Sequence, residues 1–103
     1  MMAEECLWEA VIAQQIEDAC HVVFDYDYLA DRPDKPVGPK PTRQEAFQAL
    51  QWLHDPRWQD DRRTVFSYAG YDCQNIEDIF SDPDKHTNEI AEHRRWARRV
   101  LRS

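Results

Sequence analysis

The side chains best equipped to do chemistry lie at the far end of the chain, where Arg94, Arg95, Arg98, Arg99 and Arg102 recur at helical spacing. Planar guanidinium forks at such positions can clamp phosphate or an acidic protein. The same cations also complement the C-terminal dipole of a helix and can pair with the chain's own acids. A second candidate for nucleic-acid contact is residues 73–80, where Gln74 and Asn75 offer amides that could read adenine. Glu77 and Asp78 stand within that stretch and Asp72, Asp82 and Asp84 flank it, and carboxylates there would repel a duplex. A helix-turn-helix also normally has a small residue shortly before its glycine, where the helices touch; Phe66 stands there before Gly70.

His86, Glu89 and His93 share one side of the last helix and could in principle ligate a metal. No partner helix supplies a matching Glu/His pair, so a solvated flank is the reading and no metal or cofactor is expected. His54 beside Asp55 reads as an ordinary helix end. No Ser or Cys nucleophile has an identifiable base, and with only Gly38 and Gly70 no phosphate-cradling loop can form. The expectation is a protein that binds rather than an enzyme.

Two groups are the candidates for contact with another protein. Asp25, Tyr26, Asp27 and Tyr28 form an acidic, tyrosine-rich run, and Trp52, Trp58, Asp60 and Asp61 form an acidic, tryptophan-bearing one. The first alternates with period two, which suits a short strand or a helix running out into a loop; with no second strand to pair with, the loop is expected. Trp52 lies off the inner face of its helix and is either a core filler under the proline loop, the reading preferred, or an exposed anchor. Trp58 is embedded in the polar connection RWQDDRRT.

The chain has 103 residues and a net charge of −7, which bound it to one small acidic domain. Four Trp supply apolar mass enough to fold without staples. Cys6, Cys20 and Cys73 are odd in number and far apart, which fits a reducing cytosol better than a disulfide framework. The amino terminus is acidic where a secretory signal is basic, and no apolar run approaches the roughly 20 residues of a membrane span. A cytoplasmic protein with no membrane contact is expected. Its acidic body disfavours whole-surface nucleic-acid binding and suits solubility or a basic partner.

These side chains need elements to hold them. Residues 3–24 carry Trp8, Ile12, Ile16, Ala19 and Val23 on one stripe, with Leu7 and Val11 as a second apolar spur. A proline-rich connector over 31–41 excludes helix; its PxxP spacings lack the flanking Arg of an SH3 ligand, so it reads as a stiff linker. Thr42 and Glu45 form a capping box that opens a helix with Ala46, Phe47, Ala49, Leu50 and Leu53 inside, ended by Asp55-Pro56. Residues 65–80 read as two short helices hinged at Gly70, the unit around which the rest packs. SDPDKH is a turn whose acids are placed to cap the final helix, about 85–101. There Ile90, His93, Trp96, Ala97, Val100 and Leu101 oppose the arginine face. The expected architecture is one all-α domain over 1–103, a compact bundle of four to five helices with a central helix-turn-helix-like pair.

The segments WEAVIAQQIEDA (8–19), EAFQALQWL (45–53) and VFSYAGYDCQNI (65–76) resemble, in order and spacing, small helical proteins encoded by phages and prophages of proteobacteria. Where those relatives carry a more basic segment, residues 72–84 here are acidic, which weakens any carry-over of DNA binding. The resemblance implies a phage-type accessory protein in the cytoplasm of a bacterial host. Such small acidic proteins often bind and inhibit host machinery, and a host or phage protein, defence proteins included, is the partner it implies.

Overall fold

The computed structural model describes residues 4–25 and 41–102. Tyr26, Asp27 and Tyr28, and the proline connector up to Lys40, lie outside the described residues.

The apolar stripe of the first segment winds into α1 (Glu4–Phe24), and Ile12, Ile16 and Ala19 are fully buried as their spacing requires. Ala13 and Cys20 join them. This widens the stripe, so α1 is buried on more than one side, and it packs on three other helices. Leu7 is exposed and adds nothing to the core.

Pro41 and Thr42 start α2 (Arg43–His54). Thr42 Oγ1 accepts from Glu45 N at 3.2 Å, and Glu45 Oε1 accepts from Thr42 N at 3.2 Å, which satisfies two orphan donors of the first turn. Ala46, Ala49 and Leu53 are buried, while Phe47, expected inside, is 37% exposed. Asp55 ends the helix and its carboxylate accepts from Arg57 N at 2.9 Å, opening a 3-10 turn, Pro56–Trp58.

The first helix of the pair expected over 65–80 begins instead at Gln59, so the supposed polar connection is largely the first half of α3 (Gln59–Ala69). Asp60 and Asp61 sit favourably in its positive first turn. Gly70, with φ 67° and ψ 30°, closes α3: its N–H reaches Ser67 O at 3.3 Å and Tyr71 N–H reaches Phe66 O at 3.2 Å, the paired bonds of a Schellman stop. Asp72 then caps α4 (Cys73–Ser81) by accepting from Asn75 N at 3.2 Å. The hinged pair read from the sequence is present.

A second 3-10 turn, Pro83–Lys85, leads into α5 (Thr87–Arg102). Asp82, expected to cap, makes no capping bond; its carboxylate faces Lys85 Nζ at 3.6 Å. Leu101, placed on the inner face by periodicity, is exposed where the helix runs out.

One apolar cluster draws on all five helices, with Ile12 and Ile16 of α1 against Leu53 of α2, Phe66 of α3, Ile76 and Phe80 of α4, and Ile90 of α5. Aromatic rings extend it: Tyr71 lies 4.4 Å from Trp96 and Trp52 lies 6.1 Å from Phe66, centroid to centroid. The fold is all-α, and among the described residues no helix is long and apolar enough to cross a membrane.

Candidate functional site

Where α1 crosses α2, the residues one helical turn apart on each helix leave a groove of about 510 Å³. From α1 come Gln15 and Asp18; from α2 come Glu45, Gln48 and Trp52 on one face; Trp58 and Arg57 close the end from the 3-10 turn. Two tryptophans and two carboxylates therefore line one concavity.

The sequence placed Trp52, Trp58, Asp60 and Asp61 in one stretch, and the fold gives them different jobs. Trp52 is half-buried: one ring neighbour is Phe66, and its Nε1–H donates to Asp61 Oδ2 at 3.0 Å. It both fills the core edge and faces the groove. Asp61 thereby fixes the tilt of the indole. Trp58 is 44% exposed, the more accessible ring of the two. Asp60 is exposed at the head of α3, outside the groove lining.

Asp18 is the residue that sequence reading missed, since it stands off the apolar stripe of α1. Burial pushes its carboxyl up to about 6, against the hydrogen bond it accepts from Gln14 Nε2 at 2.8 Å, and the charges of Glu45 and Glu17 push it further up. A carboxylate so disfavoured in its own fold, set in a groove, is a candidate for contact with an incoming cation.

Asp25 belongs to a different cluster. Its carboxylate accepts from Arg94 Nη2 at 2.9 Å and lies 3.0 Å from His21 Nδ1. Glu17 completes that cluster, receiving Arg98 through Nε (3.0 Å to Oε2) and Nη2 (3.0 Å to Oε1), and Arg94 Nη2 at 3.3 Å. Burial raises the Glu17 carboxyl, but the bonds from Arg98 and Arg94 outweigh it and hold the group below the usual range. The arginine face is thus divided. Arg94 and Arg98 tie α5 to α1, Arg102 Nε donates back to the Arg98 carbonyl at 3.2 Å, and Arg95 and Arg99 are exposed.

The adenine-reading candidates are divided too. Gln74 is exposed, whereas Asn75 Oδ1 lies 3.0 Å from His93 Nε2, whose Nδ1 lies 2.6 Å from Tyr71 OH. With Tyr71 donating to Nδ1 and Nε2–H donating to Asn75, His93 is a neutral latch between α4 and α5, in keeping with a pKa lowered by burial. His86 meets Glu89 at 2.8 Å, so His86, Glu89 and His93 do not converge on one point. Burial pushes the thiols of Cys20 to about 12 and Cys73 to about 11, leaving both protonated at neutral pH.

No family model, curated protein or solved structure matches the chain.

Proposed function

We propose that this protein acts by binding another protein, an accessory factor that blocks or adapts a partner in a bacterial host. The observation that carries this reading is the groove between α1 and α2, where exposed Trp58 and half-buried Trp52 stand beside the carboxylates of Asp18 and Glu45. Aromatic anchors set in a concavity with polar neighbours are the usual centres of protein interfaces. The acidic body adds a field that steers basic partners and repels nucleic acid.

A DNA-binding role through α5 and residues 73–80 is the weaker reading. Two of its five arginines are held by Glu17, and phosphate would have to displace that carboxylate.

Capture from host lysate on the immobilised chain tests the proposal. Wild type should retain a protein that Trp58→Ala and Trp52→Ala lose and that Tyr68→Ala, an exposed aromatic outside the groove, keeps. Retention of the same proteins by all four chains would remove the groove from the account.

A further inference from the structure

The carboxylates of Asp18 and Glu45 line the groove and are held by neutral donors, Gln14 Nε2 for the first and the Thr42 backbone N–H for the second. The charge of Glu45 adds to what disfavours the Asp18 carboxylate, and a cation seated in the groove would relieve it. Around them the lining offers the side-chain amides of Gln15 and Gln48, whose oxygens can accept, and two indole rings. A strongly hydrated point charge makes poor use of rings and scattered acceptors. A planar, weakly hydrated cation with five donors makes good use of both, stacking on an indole while its N–H groups reach carboxylate and amide oxygens. We propose that the groove takes an arginine side chain presented by the partner protein, seated between Trp52 and Trp58 with Asp18 and Glu45 as its counter-charges.

This inference rests on the protein-binding reading above and adds the chemistry of the occupant. Arg57 refines it. The side chain is exposed at the groove's end, so its charge opposes the entry of a second guanidinium and sets an upper limit on affinity. The same residue would help an anionic ligand, and this makes its substitution diagnostic.

The probe is a short acetylated Gly-Ser peptide carrying three arginines, compared with the same peptide carrying citrulline, the neutral isostere. The readout is the set of indole N–H resonances of the four tryptophans. The arginine peptide should shift Trp52 and Trp58 saturably while Trp8 and Trp96 stay in place, and the citrulline peptide should shift none. Asp18→Asn and Trp58→Ala should each weaken binding by about tenfold, the loss of one charge-assisted contact or one stacked ring. Arg57→Gln should strengthen it severalfold. Asp84→Asn, a charge removed from the other 3-10 turn, should leave it unchanged and so separates the groove from general attraction of a polycation to an acidic protein. The proposal is overturned by the absence of shifts at millimolar peptide, by an equal response to citrulline, by equal losses in Asp18→Asn and Asp84→Asn, or by weaker binding in Arg57→Gln. Any of these alongside Trp58-dependent capture from lysate would leave the protein-binding function standing with a different occupant.

Discussion

The guanidinium of Arg62 on α3, only 2% exposed, meets the carboxylate of Glu77 on α4 with Nη2 to Oε2 at 2.7 Å. The same group donates from Nη1 to the carbonyl of Trp52 at 2.8 Å, an orphan acceptor at the end of α2, and to that of Asp55 at 3.0 Å, which it shares with the Trp58 N–H. One side chain therefore joins three helices and fixes the backbone on which Trp52 stands. Replacing it with Met, similar in reach and uncharged, strands the Trp52 carbonyl, while Glu77 keeps Arg63 Nη2 at 3.0 Å and the Asp55 carbonyl keeps the Trp58 N–H at 3.0 Å, so Arg62→Met should destabilise by about 2–3 kcal/mol in urea unfolding. Arg62→Lys should recover only part of that, because an ammonium cannot span all three acceptors.

Asp18→Asn should raise stability at neutral pH. The folded pKa of about 6 exceeds the ordinary 3.8, so the folded state holds this proton more tightly than the unfolded chain. Stability then falls as pH rises from about 4 to about 6, and above that the full penalty remains. Asn keeps an acceptor for Gln14 and removes the charge, a gain on the order of 1–2 kcal/mol after solvent screening. Urea titrations at pH 7 and pH 4 should show the gain at the first and its disappearance at the second.

Glu17→Gln should have the opposite sign. Its lowered pKa contributes stability above the unfolded value of about 4.5, lost as pH falls through the folded value. Removing the charge leaves Arg94, largely buried, without half its partners, at a cost of about 3 kcal/mol near pH 7 that shrinks in acid.

Gly70→Ala isolates backbone strain, since a Cβ there meets nothing within 4 Å and φ is +67°. The expected loss is about 1 kcal/mol, seen as a lower thermal midpoint with no change in the indole spectrum.

The features legible in the sequence are those whose physics is local. The capping box at Thr42 and the Gly70 stop each depend on residues within one turn, and both are found where they were read. Arg62 was not legible: its burial depends on Glu77, 15 residues away, and on carbonyls of another helix, and a polar run such as RWQDDRRT gives no periodic sign of it. The division of the arginine face turns on Glu17, 77 residues from Arg94. Asp25 read as surface for the same reason, since its partner lies on the last helix. The groove arises from the crossing of α1 and α2; Trp52 and Trp58 were visible as candidates, but Asp18 entered only with the crossing.

The most direct test of the groove as the interaction surface is hydrogen–deuterium exchange on the protein bound to the partner it captures. Protection should rise over residues 45–59 and around 15–18, with residues 73–81 and 94–102 unchanged. Protection confined to 73–81 and 94–102, with the groove exchanging as in the free protein, would contradict the account.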